Sequence, residues 1–433
     1  MKTLGLLLLT LVFVAVLSQP LVAQADDETA DVPSSNQLHV HPVPHHFFQM
    51  SGHGVKPWPI IPFDGLRLWG TETYWAILNP ADGVYDWTAL DQWLNAAQEH
   101  GTTHLMYTMA LTPQWASSNP GDTTCKNGPG ACDPPNDLNA DGTGTDQHWK
   151  DFVRAIAIHA GNQIDTWEVW NEPAMPYYWT GTFAQMTRLA QDARSVILSV
   201  NPNAQLVSPP NGAQDPWVLH WWEGYAAAGG LQYADIAAVH GGPHSACGSP
   251  PQAAEFITIV QNLRAILKTY NQGKPIWDTE ANWGNVTKDC FTDEDLQAAF
   301  LAQFYFFHRT MHVTRFYWYS YADPDVGKLF NLETGQLTKA GVAYEQVYDW
   351  MLEKTLTGCS ANNTIWTCHF FGSQGYEAEA VWDTGESCSG GSCQTEDYAA
   401  DKKYTHYRTL AGETVAISNN EVPIGAKPIL LVK

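Results

Sequence analysis

The feature that most restricts the fold of this chain is a regular alternation of short apolar runs with longer amphipathic segments between residues 38 and 354. Short runs rich in β-branched and aromatic residues are typical of buried strands, and apolar residues repeated at helical spacing indicate helices. Strands that alternate with helices predict βα units around a parallel sheet. Eight strands are predicted, at residues 47–51, 65–70, 103–110, 165–171, 204–208, 234–240, 275–280 and 314–321.

Helical patterns separate these strands, and the number of units selects among α/β folds. Helices are predicted at residues 87–99, 149–160, 183–200, 253–270 and 293–308. Eight strands interleaved with helices favour a (β/α)8 TIM barrel over an open doubly wound sheet. No G-x-G-x-x-G or Walker loop follows the first strand, which argues against a nucleotide-binding fold.

The two ends of the chain differ from this central part. Residues 1–25 combine Lys2, an apolar run and small residues near position 25, which is the pattern of a secretory signal peptide. We therefore expect a secreted protein, extracellular or periplasmic. Residues 26–37 are polar and predict a flexible N-terminal arm. Residues 355–433 contain short β-prone runs separated by Gly, Ser and Asn, and they predict a small C-terminal β-sandwich, either a structural cap or an ancillary sugar-binding unit.

Eight cysteines in an exported chain indicate disulfide bonds. Zinc binding is the competing explanation, but the sequence has no C-x2-C pair. Proximity along the chain favours three short loops and leaves one distant pair. The predicted bridges are Cys125–Cys132, Cys359–Cys368, Cys388–Cys393 and Cys247–Cys290.

Charge and aromatic content bear on the partner. The chain has 45 acidic and 22 basic residues, so its surface should repel nucleic acid and anionic membranes. No stretch after the signal pattern approaches the roughly 20 apolar residues of a transmembrane helix. The 19 Trp residues favour contact with the apolar faces of sugar rings, although Trp side chains often belong to the core. We expect a carbohydrate partner, no nucleic acid and no membrane; the sequence carries no signal for an oligomeric state.

Two glutamates end predicted strands. Glu172 closes the fourth strand, in the sequence Trp170-Asn171-Glu172-Pro173, and Glu280 closes the seventh. The carboxyl ends of barrel strands converge on one pocket, so the two side chains should meet there. Cleavage of a glycosidic bond requires one carboxylic acid and one carboxylate, which lie about 5 to 5.5 Å apart in retaining enzymes.

This pair of motifs resembles glycoside hydrolase clan A, and residues 45–433 resemble family 39 and its close relatives. The resemblance implies a retaining hydrolase of β-linked polysaccharide or oligosaccharide, and catalysis by two carboxyl groups needs no metal. It also implies Glu172 as acid/base, Glu280 as nucleophile and Asn171 as the partner of the sugar 2-hydroxyl. Supporting stretches are Val84-Tyr85-Asp86-Trp87, Thr112-Pro113-Gln114-Trp115-Ala116 and Phe316-Tyr317-Trp318-Tyr319.

Two further acidic residues are rivals of this pair. Because side chains alternate along a strand, Glu168 and Asp278 should face the same side as Glu172 and Glu280, one step deeper in the barrel. We interpret them as interior groups that tune neighbouring pKa values. The charge of Glu280 is expected to raise the pKa of Glu172.

Other pocket members are predicted from strand-end positions. Arg67 on the second strand is expected to orient the nucleophile, His240 on the sixth to line the pocket, and Trp318 on the eighth to stack against sugar. The insertion at residues 122–147 follows the third strand and should lie over the mouth. Each aromatic candidate fits ordinary packing equally well. Further substrate-binding candidates are Trp115, Trp179 and Trp283.

A calcium loop is a weaker prediction. Asp137, Asn139 and Asp141 occupy the first ligand positions of such a loop, followed by Gly142, but His148 replaces the final glutamate. A turn-rich loop without an ion is the alternative.

For the whole chain, the alternative function is a carbohydrate-binding barrel without catalysis. Xylosidases, iduronidases and enzymes acting on exopolysaccharides all occur in family 39, and strands four and seven do not distinguish among them.

Overall fold

The computed structural model describes residues 41–433. The predicted signal peptide and flexible arm lie outside the described residues. No helix within the described part is long and apolar enough to cross a membrane.

Eight parallel strands form one sheet in the order β5-β4-β3-β2-β1-β8-β7-β6. Two single bridges join the edge strands β5 and β6 of this sheet, because Val207 pairs with Ile236 and Asn211 pairs with Val239 in parallel register. The sheet is thus a closed barrel, and all eight predicted strands are present. Their bounds are β1 Phe48–Ser51, β2 Gly65–Leu68, β3 His104–Met109, β4 Thr166–Val169, β5 Gln205–Val207, β6 Ala237–Val239, β7 Ile276–Ala281 and β8 Val313–Trp318.

Helices surround the barrel, and side chains that precede a helix satisfy free backbone N–H groups at three of the N-termini. Thr182 forms a reciprocal capping box with Gln185, while Asp293 and Thr338 accept from the first turns of their helices. The helices are α1 Trp75–Leu78, α2 Thr88–Glu99, α3 Gln147–Ala160, α4 Phe183–Val200, α5 Pro216–Ala227, α6 Glu255–Thr269, α7 Glu294–Thr310 and α8 Lys339–Met351. Short 3-10 turns lie at His45–Phe47, Gln114–Ala116, Gly161–Gln163, Gly230–Tyr233 and Ser373–Gly375.

The barrel interior is apolar at its base and charged near its mouth. Trp277 and Tyr317 pack with small and aliphatic side chains from β3, β5 and β6. Arg67 and Glu168 lie among the barrel strands and are fully buried. Burial of ionised groups is costly unless they are paired. We therefore expect Arg67 and Glu168 to pair with each other or with charged groups at the mouth.

Strand β7 contains one more residue than β8 near the mouth. Asp278 pairs with Phe316 and Ala281 pairs with Trp318, so three steps on β7 match two on β8. An extra residue of this kind is a β-bulge, which changes the direction of the side chains that follow.

The C-terminal residues form an antiparallel sheet in the order β11-β12-β13-β20-β17-β18 and a β16–β19 pair. Apolar side chains of both sheets, such as Val381, Leu431, Val422 and Ile424, share one small core, as expected for a β-sandwich. The strands are β9 Phe330–Asn331, β10 Gln336–Leu337, β11 Thr355–Asn362, β12 Ile365–Phe371, β13 Glu377–Asp383, β14 Cys388–Ser389, β15 Ser392–Cys393, β16 Glu396–Ala399, β17 His406–Arg408, β18 Thr414–Ala416, β19 Glu421–Ile424 and β20 Ile429–Val432.

The sandwich packs on α7. Phe306 contacts Phe370, and Phe307 contacts Trp366 and Trp382 edge to face.

The four predicted disulfides are all confirmed: Cys125–Cys132, Cys247–Cys290, Cys359–Cys368 and Cys388–Cys393.

Candidate active site

Glu172 lies just beyond β4, where the backbone leaves the regular strand. Trp170 and Glu172 adopt positive φ values of 63° and 42°. Non-glycine residues rarely take this conformation, and it concentrates at functional sites. The turn places the Glu172 carboxyl next to β6, where its Oε1 lies 2.9 Å from Nδ1 of His240.

Arg67 connects β2 to the two strands that carry the glutamates. Its guanidinium donates to Oε2 of Glu168 at 2.8 Å, to Oε2 of Glu280 at 2.7 Å and to Oδ1 of Asn171 at 2.7 Å. The Arg67 side chain is 0% exposed, so these charge-assisted bonds form away from water. Arg67 therefore fixes the direction of both the Glu280 carboxylate and the Asn171 amide.

The two strand-end glutamates meet, as the sequence predicts. Carboxylate oxygens of Glu172 and Glu280 and a ring nitrogen of His240 lie within 4.8 Å of one another. Such a group of ligand atoms also has the size of a metal site. The guanidinium on Glu280 already supplies a cation there, which disfavours a second one.

The pKa values of this cluster are coupled through His240. Burial raises the pKa of Glu172, but the hydrogen bond and charge of His240, with Arg67 and Lys126, outweigh it and hold the pKa below its usual 4.5. Burial raises the pKa of Glu280 above 4.5 despite His240 and Arg67. Burial lowers the pKa of His240, but the two carboxylates raise it above 6.5 overall.

The expectation of a raised pKa at Glu172 is therefore wrong for this structure, because the sequence did not reveal the hydrogen bond from His240. One proton is shared along that hydrogen bond: it lies either on the imidazole or on the carboxyl. The pair as a whole holds the proton that a leaving group needs.

Tyrosines and one lysine surround the glutamates. Burial raises the pKa of Tyr178, and the charges of Glu172 and Glu280 raise it further. Burial and Glu280 act in the same way on Tyr319. Nζ of Lys126 donates to the Tyr178 hydroxyl at 3.0 Å. The insertion at residues 122–147 thus reaches the mouth, as predicted.

The predicted tryptophan walls lie elsewhere. Trp283 and Trp318 are 0% exposed and pack against each other edge to face. Trp179 is also buried, against Trp170. Trp115 is half-buried and donates to the backbone of Asn79. The packing interpretation fits these side chains, and the assignment of Trp318 and Trp283 as sugar-stacking faces is wrong because neither face is open.

The rival acidic residues have different positions. Glu168 lies inside the barrel as expected, where Oε2 accepts from Arg67 and from Thr108. Asp278 does not face the interior. Its Oδ2 lies 2.8 Å from Nε2 of His308 on helix α7, outside the barrel. The prediction assumed strict alternation along β7, and the bulge after Asp278 breaks it.

One oxygen each of Asp137 and Asp141 is hydrogen-bonded within the loop, whereas Oδ1 of Asp137 is buried without a hydrogen-bond partner among the described residues. Oδ2 of Asp137 accepts from Thr145 and from the backbone of Gln147, and Oδ1 of Asp141 accepts from Thr143. The Asn139 amide donates to the Thr143 hydroxyl. Calcium binding stays a prediction.

Sequence reasoning missed Tyr178, Tyr319 and Lys126. Signals for the first two were available, because Tyr178 follows Glu172 in the same loop and Tyr319 directly follows Trp318 on β8. Lys126 gave no signal, since nothing local relates it to β4.

No family model and no curated protein matches the sequence. Solved structures match its fold over most of the chain. A family 39 glycoside hydrolase from the gut symbiont Bacteroides cellulosilyticus WH2 is 18% identical, with a TM-score of 0.65 over 90% of this chain and 81% of that one. A monomeric beta-xylosidase from Caulobacter crescentus CB15 is 15% identical, with a TM-score of 0.61 over 90% and 97%.

A bifunctional glucanase-xylanase from a metagenome library is 14% identical, with a TM-score of 0.54 over 91% of this chain and 96% of that one. At these identities the likeness concerns the fold alone. The chain therefore has the barrel-and-sandwich architecture found in these glycoside hydrolases.

Proposed function

We propose that this protein is a retaining O-glycoside hydrolase acting on β-linked polysaccharide or oligosaccharide. One observation carries the proposal: carboxylate oxygens of Glu172 and Glu280 lie within 4.8 Å across the barrel mouth. Retaining enzymes hold their carboxyl groups about 5 to 5.5 Å apart, whereas inverting enzymes need about 6.5 to 9.5 Å to admit a water molecule.

Each residue of the cluster has a role in this reaction. Glu280 attacks the anomeric carbon, while the leaving oxygen takes the proton shared by Glu172 and His240. Water then attacks the glycosyl-enzyme, gives its proton to Glu172 and releases Glu280. Asn171 keeps its amide N–H groups for a sugar hydroxyl, since its Oδ1 is held by Arg67.

Several observations support a secreted enzyme with a carbohydrate substrate. The sequence begins with a signal-peptide pattern, and four disulfides suit an oxidising compartment. The charge of Glu280 acts on the hydroxyl groups of two aromatic residues, Tyr178 and Tyr319, and aromatic rings are surfaces on which sugars pack. The fold-level neighbours include a xylosidase and a glucanase-xylanase by name.

The test begins with a panel of aryl β-glycosides, with the anomer of the first product followed by NMR. Glu280→Ala should abolish turnover, and azide should restore part of it by attacking the anomeric carbon in place of the missing carboxylate, which releases the aryl group and yields an α-glycosyl azide of inverted configuration. Glu172→Gln should slow substrates with poor leaving groups most, because these need the proton. Glu333→Ala changes an exposed glutamate in the β9–β10 hairpin and serves as the control.

Retention of configuration and azide rescue together support the proposal. An inverted first product, or full activity in both glutamate variants, contradicts the double-displacement mechanism. Tight glycan binding without any hydrolysis favours the carbohydrate-binding alternative instead.

A further inference from the structure

Asp278 forms a buried pair with a histidine behind the active site. Oδ2 of Asp278 lies 2.8 Å from Nε2 of His308, and both side chains are 0% exposed. The imidazole stacks between Phe256 and Phe316, with ring centroids at 3.7 and 3.8 Å. The proposed reaction uses neither residue directly, so this buried polar pair within an aromatic layer needs another explanation.

The hydrogen bonds fix the number of protons in the pair. Nδ1 of His308 lies 2.7 Å from the carbonyl oxygen of Phe304, and a carbonyl only accepts, so Nδ1 carries a proton. A second proton must lie between Nε2 and Oδ2, on one atom or the other. Either arrangement leaves the pair without net charge, which makes its burial tolerable.

The second oxygen of Asp278 faces the active site through two backbone groups. Oδ1 accepts from the amide of Glu280 at 3.2 Å and from the amide of Gly241 at 3.3 Å. The bulge between Asp278 and Ala281 interrupts pairing with β8 at this point. Oδ1 of Asp278 thus accepts hydrogen bonds from backbone amides at the ends of β7 and β6.

Glycine at position 241 makes this approach possible. A Cβ atom there would collide with Oδ2 of Asp278 and with the ring of Phe256. Gly241 directly follows His240, the partner of Glu172. Asp278 is therefore bonded to the backbone of the nucleophile candidate and of the residue next to His240.

We propose that Asp278 and His308 are positioning residues that stabilise the β7 bulge and thereby turn Glu280 into the barrel mouth at a fixed distance from His240 and Glu172. The inference rests on the proposed function, because position matters only if Glu280 reacts. Without the bulge, the alternation that points Asp278 outward would also point Glu280 outward. The Asp278–His308 pair thus holds the irregular end of β7 in one conformation.

The test compares Asp278→Leu with Asp278→Asn. Asparagine keeps an oxygen for the two amides and an N–H for neutral His308, whereas leucine has a similar volume and neither group. We expect Asp278→Leu to lower kcat about 100-fold, with KM changing much less, because a small misplacement of a reacting group has effects of this size. Asp278→Asn should rescue kcat close to the wild-type value.

The amount of folded enzyme is measured separately, by titrating active sites with a 2-deoxy-2-fluoro glycoside that traps the nucleophile. Wild-type kcat per titrated site in Asp278→Leu overturns the proposal. His308→Gln is the milder variant if Asp278→Leu does not fold, and it should also lower kcat per site.

Hydrogen exchange of peptides covering Glu280 and Gly241 provides a readout independent of activity. If these amides lose protection in Asp278→Leu but not in Asp278→Asn, the result supports the positioning role of Asp278. Equal protection in both variants overturns it. If the wild-type protein cleaves no glycoside, the proposed function fails. Hydrogen exchange still tests whether Asp278 holds the backbone amides of Glu280 and Gly241.

Discussion

Asp146 provides a test of buried electrostatics that needs no substrate. It immediately precedes helix α3 and is 0% exposed, and no backbone amide, hydroxyl or side-chain N–H of the described residues donates to either of its carboxyl oxygens. Burial, together with a hydrogen bond to the carboxyl of Asp192, raises the pKa of Asp146 from 3.8 to about 9. Two carboxyl groups can share a hydrogen bond only if one is protonated, so folding at neutral pH binds a proton.

The sign of the effect follows from proton linkage. Between pH 3.8 and about 9 the folded state holds one proton that the unfolded state has released. The free energy of unfolding should therefore fall by about 1.4 kcal/mol for each pH unit in this window. Asp146→Asn replaces the shared proton with a permanent N–H donor to Asp192 and removes this dependence.

The assay is urea unfolding of the wild type and Asp146→Asn at several pH values. The advantage of the variant should grow by about 4 kcal/mol between about pH 5 and about pH 8. Asp82→Asn, which removes an exposed carboxyl, is the control and should show no such trend. A constant difference between Asp146→Asn and wild type would refute the buried, proton-sharing pair.

Three further predictions concern the mouth. His240→Asn should lower the pH at which kcat/KM declines on the alkaline side. In the wild type the catalytic proton can reside on His240, whose pKa is raised above 6.5, and the variant lacks this group. A pH-rate profile measures the change. Arg67→Met leaves the buried Glu168 and the partly buried Glu280 without their cation and should lower the free energy of unfolding by about 3 to 5 kcal/mol, measured in urea. Replacing Cys125 and Cys132 by serine should raise KM by loosening the loop that carries Lys126, whereas loss of the disulfide in the β14–β15 hairpin should leave KM unchanged.

The barrel and its glutamate pair were predictable because each rests on a regular pattern. Eight apolar runs separated by helical segments specify βα units, and parallel strands bring their carboxyl ends together. The proximity of Glu172 and Glu280 was therefore predictable without information on contacts. Helix α5 was missed because Trp221, Trp222 and other apolar residues cover most of its surface, which hides the helical period.

Irregular strand ends account for most of what the sequence did not reveal. Strict alternation placed Asp278 beside Glu280, and one extra residue in β7 sends Asp278 toward the helices instead. At the end of β8 the predicted stacking residue Trp318 is buried, while it is the neighbouring Tyr319 whose pKa the charge of Glu280 raises. A bulge depends on packing between strands, so a single-strand pattern cannot reveal it.

The charges around Arg67 also explain why a second buried carboxylate is useful. Arg67 carries one positive charge but contacts two carboxylates, Glu168 and Glu280. With both ionised, the group retains one negative charge, so the cation orients Glu280 without neutralising it fully. In the proposed reaction positive charge develops on the sugar ring in the transition state, and a residual negative charge beneath it is favourable. Glu168→Gln should therefore preserve the contacts of Arg67 yet strengthen its hold on Glu280, which lowers kcat more than it raises KM.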